Sequence, residues 1–97
     1  MRVLKSSDRV VAVVEGALDA VHVRRFQSSW ELVTADPTAD LLVCLRGCES
    51  IDGSGVALLV SLMRRNGNAG GSMRIKHASG QPAMLLRQLG IEQVIAA

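Results

Sequence analysis

The sequence LLVCL at residues 41–45, followed by DGSGVALLV at residues 52–60, decides the fold. The first run is apolar at every position, which is typical of a strand buried on both faces. The second begins a helix, because apolar residues recur at positions 56, 59, 60 and 63, and residues 57, 58 and 62 widen the stripe. Turn-forming residues from Gly47 to Gly55 predict a loop between the two. The stretch therefore predicts a buried strand, a loop and a helix buried over most of its circumference.

Two further strands are predicted on the N-terminal side. The segment Arg9–Glu15 is β-branched and apolar on both faces, which indicates a strand buried from two sides. Arg2–Lys5 is a shorter strand candidate. The link Ser6–Asp8 is short enough for a hairpin, so we expect the first strand to lie antiparallel at an edge of the sheet.

A helix is predicted between these strands and residue 41. Gly16 breaks the preceding strand, and Asp19 can cap the helix. Apolar residues then recur at helical spacing, at Val23, Phe26, Trp30 and Val33. Asp36-Pro37 ends the helix, because the residue before a proline is pushed out of the α region. We expect Trp30 to be buried against the sheet.

The C-terminal third predicts one more strand and helix. Residues 66–71 form a loop by composition, and Met73–Lys76 is a short alternating strand. Ser79 can cap the following helix, and Gly90 with Ile91 has the pattern of a Schellman stop. Val94-Ile95 can add a last strand.

The predicted fold class is α/β, in the order β-β-α-β-α-β-α with an optional final strand. Helices that alternate with apolar strands imply a mixed, mostly parallel sheet of four to five strands with helices packed on it. With 97 residues, the chain is expected to form a single domain over residues 1–97.

Composition excludes several classes of function. The formal net charge is +2 and the chain has one Phe and one Trp, so nucleic-acid binding is not expected. Charges near the N-terminus leave no room for a signal peptide, and apolar runs such as 10–14 are far shorter than the ~20 residues of a membrane span. Cys44 and Cys48 are expected to be free thiols. We expect a cytoplasmic protein without direct membrane insertion.

Four landmarks carry a resemblance to a known family. The turn Gly16-Ala17-Leu18-Asp19 resembles the Gly-Glu-Leu-Asp turn that opens the first helix of STAS domains, the fold of anti-sigma factor antagonists. The loop Asp52-Gly53-Ser54-Gly55 resembles their signature Asp-Ser-Ser-Gly loop. The pair Gly70-Gly71 resembles the glycines before their fourth strand. The last landmark is the spacing of the final long helix and its stop, at Ser79, Leu85, Leu86, Gly90 and Ile91.

The resemblance implies a non-catalytic, regulatory interaction module without a cofactor. In anti-sigma factor antagonists, the signature loop and the following helix bind an anti-sigma factor, often a kinase-like protein. The implied partner-binding residues here are Asp52, Gly53, Ser54, Gly55, Val56 and Leu59. Alternatively, the family includes STAS components of ABC-type phospholipid transport systems, which dock on the ATPase subunit, and C-terminal domains of anion transporters.

The sequence departs from the family pattern at the switch. In the family, the hydroxyl residue directly after the signature Asp is phosphorylated to stop binding, and here that position is Gly53. Ser54 is the only hydroxyl in the loop. Either Ser54 replaces the acceptor, since a helix N-terminus favours a phosphate, or it only caps the helix and no phosphorylation switch exists.

An enzyme or metal protein is the weaker interpretation. The segment Gly53-Ser54-Gly55 lacks the glycines two positions either side that a nucleophile elbow needs. Cys44 falls inside an apolar strand, so a zinc site with Cys48, His22 and His77 has poor ligand geometry. We therefore expect neither catalytic residues nor a metal.

Overall fold

The computed structural model describes residues 1–91 and, as strand backbone, residues 95–96. The elements in chain order are β1 (Arg2–Lys5), β2 (Arg9–Leu18), α1 (Ala20–Arg25), α2 (Gln27–Thr34), β3 (Asp40–Ile51), α3 (Gly53–Asn68), β4 (Ser72–Lys76), α4 (Gly80–Gln88) and β5 (Ile95–Ala96). The strands form one sheet in the order β1-β2-β3-β4-β5. β1 pairs with β2 antiparallel at the edge, and the other pairs are parallel. The α/β class, the mixed sheet and the hairpin are thus confirmed, while Val94 lies outside the described residues.

The helices cover one face of the sheet. Right-handed crossovers between parallel strands in sequential order place each connecting helix on the same side. The strand residues on that side are buried: Val10, Ala12, Val14, Leu41, Val43, Leu45, Met73 and Ile75. Alternate residues such as Val11, Val13 and Leu42 are only half-buried. The prediction that β2 and β3 are buried on both faces is therefore wrong for the face opposite the helices. Because the strands follow one another in sequence order, the connecting helices all lie on the same side of the sheet.

The predicted first helix is two helices. α1 begins after Asp19, whose Oδ1 accepts a hydrogen bond from the His22 N–H at 2.9 Å, which confirms the predicted cap. The backbone leaves the helical region at Phe26, with φ −107° and ψ 30°, and α2 follows. Trp30 is 4% exposed and Val33 is also buried, so the predicted inner face is confirmed for α2. In α1 the buried residue is His22, while Val23 is half-buried. The helix ends at Thr34, before Asp36-Pro37, as expected.

β3 is much longer than the sequence indicated. The segment predicted as a loop, Gly47 to Gly55, continues the strand to Ile51 and starts α3 at Gly53. Two shifts in the β2–β3 register accommodate it, one between Val13 and Glu15 and one between Gly16 and Ala17. These irregularities let turn-forming residues remain in a paired strand. Only Asp52 separates β3 from α3.

The two C-terminal helices end in different ways. α3 extends through the predicted loop to Asn68, and the buried Asn66 Nδ2 donates to the carbonyls of Ala39 and Ser72, both at 3.3 Å. α4 ends in the predicted Schellman motif, with the Gly90 N–H donating to Arg87 O and the Ile91 N–H to Leu86 O. Gly90 has the positive φ of 73° that this motif requires.

Candidate functional site

The candidate site lies where β2 and β3 end side by side. The strands are parallel, and Leu18 at the end of β2 pairs with Ile51 at the end of β3. The N-termini of α1 and α3 therefore meet at this carboxyl edge of the sheet, the edge at which open α/β sheets place their binding sites. The segment Asp52–Gly55, which resembles the family's signature loop, lies at this edge.

Asp52 holds the start of α3. Its Oδ1 accepts a hydrogen bond from the Gly55 N–H at 3.0 Å, and its carbonyl accepts from the Val56 N–H at 2.9 Å. Asp52 is thus the N-cap, and Ser54 is the second residue of the helix. The prediction that Ser54 caps the helix is wrong, because β3 runs to Ile51, six residues beyond the predicted strand end at Leu45, and brings the Asp52 carboxylate to the capping position. The Ser54 side chain is exposed at the carboxyl edge.

The two glycines of the loop have different roles. A Cβ at Gly55 would lie 2.3 Å from the Leu18 carbonyl oxygen and 2.9 Å from Ile51 Cγ2, so only glycine lets α3 approach the end of β2 this closely. A Cβ at Gly53 would meet no atom of the described residues within 4 Å. Gly55 is therefore required by packing, and Gly53 is not.

Gln81 fixes the turn from the α4 side. Its side-chain Nε2 donates to the Ile51 carbonyl at 2.9 Å, and its Oε1 accepts from the Ile51 N–H at 2.8 Å. This pair of bonds joins the end of β3 to the first turn of α4, one residue before the Asp52 cap. Sequence reasoning missed Gln81, because nothing in its local pattern distinguishes it from a solvated helix residue.

The structure separates the six predicted partner-binding residues into two groups. Asp52, Gly53 and Ser54 are exposed. Gly55 and Leu59 are buried, and Leu59 is only 1% exposed. The assignment of Leu59 and Gly55 to the contact surface is therefore wrong. They face the core because this side of α3 packs on β3 and β4, and Val56 is half-buried against the core.

The exposed side of α3 continues from Ser54 along the helix. Ala57 and Ser61 are exposed at the next two turns, and Val60 is half-exposed. The additional apolar residues of this helix are largely used in packing, since Leu58 and Met63 lie against the core. We call Asp52, Gly53, Ser54, Ala57 and Ser61 the carboxyl-edge surface.

The thiols and imidazoles are dispersed rather than gathered at this surface. Cys48 is buried, and burial raises the pKa of its thiol, while Cys44 is half-buried on another part of β3. Both ring nitrogens of His77 lie 3.4 Å from Arg46 Nη2, and the buried His22 ring lies beside those of Phe26 and Trp30. Across residues 1–91, no three His, Cys, Asp or Glu side chains are grouped to hold a metal ion. None of the described helices is long and apolar enough to cross a membrane.

Comparison with solved structures shows which fold this is. The anti-sigma factor antagonist SpoIIAA in its unphosphorylated form superposes with a TM-score of 0.82 at 16% identity, covering 98% of this chain and 84% of that chain. A putative anti-sigma factor antagonist from Thermotoga maritima gives 0.80 at 14% identity, with 97% and 81% covered. A sulfate transporter family protein from Wolinella succinogenes gives 0.73 at 11% identity, with 95% and 79% covered.

These structures define the class as the α/β fold of anti-sigma factor antagonists. A protein-family profile described as "Mlab, STAS domain" matches residues 1–96. The chain belongs to this STAS domain family. A comparison with curated protein sequences finds no match.

Proposed function

We propose that this chain is a non-catalytic STAS module that binds a partner protein through the carboxyl-edge surface, and that the partner is a kinase-like anti-sigma factor. The observation that carries the proposal is the exposed start of α3, whose backbone is held by side-chain hydrogen bonds. The backbone there is fixed by Asp52 from within and by Gln81 from α4, yet the side chains it presents are small. A partner backbone can approach such a surface closely and without reordering it, which lowers the cost of binding. No catalytic residue and no cofactor takes part, and the proposed location is the cytoplasm.

The test uses a charge placed in the contact. Ser54→Asp should weaken binding to the anti-sigma factor by a few kcal/mol, because the new carboxylate loses its water on binding and finds no partner. The matched control is Ser7→Asp, an exposed serine in the β1–β2 turn at the opposite edge of the sheet, which should bind as the wild type does. Affinities are measured by calorimetric titration. Equal affinities for wild type and Ser54→Asp would contradict the proposed surface.

The switch is a separate proposal. If a phosphorylation switch controls this module, we propose Ser54 as its acceptor, because Gly53 has no hydroxyl and Ser54 is the only hydroxyl residue of the Asp52–Gly55 motif. There it would be attracted by the α3 N-terminus and opposed by the Asp52 carboxylate, each effect being about 1 kcal/mol at a solvated site. The fold would survive while the surface gains negative charge. Intact mass with peptide mapping of protein from native cells detects the modification, and phosphate on Ser50 or Ser61 instead would contradict the assignment.

Gly53→Ser offers a direct comparison. The space around residue 53 accepts a side chain, so this variant restores the family's hydroxyl without disturbing the core. If the partner is a kinase of the family type, it should phosphorylate Gly53→Ser faster than the wild type. Equal phosphorylation rates for the two proteins would mean either that Ser54 is the acceptor or that the partner is not a kinase of the family type.

A second candidate partner is the ATPase subunit of an ABC-type phospholipid transporter. Two observations favour it: residue 53 carries no acceptor hydroxyl, and the matching family profile is the Mlab group rather than a group named for antagonists. This candidate predicts an unmodified protein that copurifies with an ATPase. The neighbouring reading frames separate the two, since a kinase-like anti-sigma factor supports the first candidate and a permease with an ATPase supports the second.

A further inference from the structure

The side of the sheet opposite the helices carries a continuous apolar area. In the strand register, Leu4 of β1 lies opposite Val11 of β2, which lies opposite Leu42 of β3. One row along, Val13 lies opposite Cys44. Residues that share a row and a parity along their strands point to the same face. We call these five residues the open face.

The open face is not part of the hydrophobic core. Val11, Val13, Leu42 and Cys44 are half-buried, Leu4 is 57% exposed, and none of the five packs against the core cluster. No helix of residues 1–91 lies over them. A contiguous exposed apolar area on a small protein differs from scattered surface residues, and it indicates a contact with another molecule.

Cations surround this area. Arg74 continues the row of Leu42 on β4, Lys76 continues the row of Cys44, and Arg2 lies opposite Val13 on β1. Arg46 completes the cationic rim at the end of the open face that is nearer the carboxyl edge of the sheet. Together with Glu15 and Gly47, Arg2 and Arg46 line a shallow depression of about 400 Å³ whose floor is Val13 and Cys44.

The carboxylates on the open side of the sheet lie at the two ends of the open face. Glu15 lies at the end of the open face nearer the carboxyl edge. Asp40 lies at the opposite end, where it pairs with Arg9 in the strand register, and it accepts a hydrogen bond from Ser72 Oγ at 2.7 Å. Between the two ends, the positions that flank the open face are Arg2, Arg74 and Lys76. The surface is therefore apolar in the middle and positive on both sides.

The dimensions fit one helix. From β1 to β4 there are three strand spacings, about 14 Å in all, and an α-helix with its side chains is about 10–12 Å wide. A helix that lies between Arg2 and Lys76 would place an apolar stripe on the open face and present a flank to each cation. Acidic residues on those flanks would complement the rim.

The other occupants fit less well. A second copy would set the cationic rim of one molecule against the identical rim of the other. A lipid surface is gripped by protruding aromatic or long apolar side chains. Here the open face consists of Val, Leu and Cys side chains, four of which are half-buried, and Leu4 alone is largely exposed.

We propose that the open face and its cationic rim bind an acidic amphipathic helix of a partner protein, at a second docking surface independent of the carboxyl-edge surface. The two surfaces would let one module join two proteins at once. This inference does not depend on which partner occupies the carboxyl edge.

The test uses two designed helical peptides and the full chain. Both peptides carry leucines at helical i, i+3, i+4, i+7 spacing, with glutamates on the flanks of one and lysines on the flanks of the other. The readout is the alkylation rate of Cys44, which lies in the open face, with the buried Cys48 as the slow internal reference. The glutamate peptide should slow alkylation of Cys44 by about tenfold or more at saturation, and the lysine peptide should not.

Charge-reversed variants locate the contact. The double variant R74E/K76E should bind the glutamate peptide about tenfold or more weakly in fluorescence anisotropy. The matched control R24E/R87E makes the same change of charge at exposed positions on the helical side and should bind as the wild type does. Ser54→Asp should also leave this affinity unchanged.

Four results would overturn the inference. They are equal protection by both peptides, no protection by the glutamate peptide, unchanged affinity of R74E/K76E, and protection of Cys44 only by self-association or by phosphatidylcholine–phosphatidylglycerol vesicles. Thermal melts by circular dichroism establish that each variant is folded, and the comparison of peptides on the wild-type chain remains decisive even if R74E/K76E does not fold.

Discussion

Gly55→Ala is expected to destabilise the protein even though alanine favours helices. The new Cβ would lie 2.3 Å from the Leu18 carbonyl oxygen, 2.9 Å from Ile51 Cγ2 and 3.0 Å from Leu18 Cγ. The first of these atoms belongs to the backbone of a central strand, so it cannot rotate away and either α3 or the end of β2 must shift. Overpacking of this kind costs about 1–3 kcal/mol.

The net effect includes the intrinsic preference for alanine. Alanine in a helix is favoured over glycine by roughly 0.5–1 kcal/mol, which offsets part of the clash. Because the closest contact is with backbone, we expect the clash to lie at the upper end of its range and the net loss to be about 2 kcal/mol. Gly53→Ala is the matched control, since its Cβ would meet nothing within 4 Å and its effect should be neutral or slightly stabilising.

Urea denaturation followed by Trp30 fluorescence measures both variants. With a slope of about 1 kcal/mol per M for a chain of this size, the midpoint of Gly55→Ala should fall by about 2 M, and that of Gly53→Ala should stay within roughly 0.5 M of the wild type. If Gly55→Ala melts with the wild type, or if both variants are equally damaged, the close approach of α3 to β2 does not hold.

Three further predictions concern the interior. Trp30→Ala should cost about 3–5 kcal/mol in urea melts because the ring is buried, and coincident melts would mean that it packs otherwise. Burial lowers the pKa of His22 below 6.5, so the unfolded chain takes up a proton first: stability is complete above pH 6.5 and falls as the pH drops toward the lowered value. His22→Phe should remove that loss between pH 7 and pH 5, and a stability difference that stays constant with pH would refute it. Asn66→Ala should cost about 1–3 kcal/mol by removing its bonds to Ala39 and Ser72, measured against Asn68→Ala at the exposed end of α3.

The order of the elements could be predicted because each has a strong local signal. The apolar strands, the Asp19 cap and the Gly90 stop are all set by residues close in sequence. The break at Phe26 could not be predicted, because the sequence has no glycine or proline there. The bonds from the Phe26 N–H to His22 O and from the Trp30 N–H to Phe26 O preserve helical periodicity across it.

The sequence predicts the Asp52–Gly55 motif as the candidate site but not the geometry of that motif. The Asp52–Gly55 motif follows β3 and begins α3. Which residue caps α3 depends on where β3 ends, and the end of β3 depends on its pairing with β2. Composition alone made residues 47–51 resemble a loop, while two register shifts keep them in the ladder. The resemblance implies a contact through the helix after the motif without saying which side of that helix the core covers, and Leu59 lies on the covered side.

The length of β3 leaves part of that strand without a neighbour on one side. β4 pairs with β3 only from Asp40 to Cys44, and among the described residues no strand continues the ladder beyond that point toward Ile51. Unpaired backbone groups in a strand attract strands of other chains and so promote aggregation. The Gln81 amide occupies both the N–H and the carbonyl of Ile51, as a neighbouring strand would. One side chain thus closes this end of the ladder against edge-to-edge association with other chains.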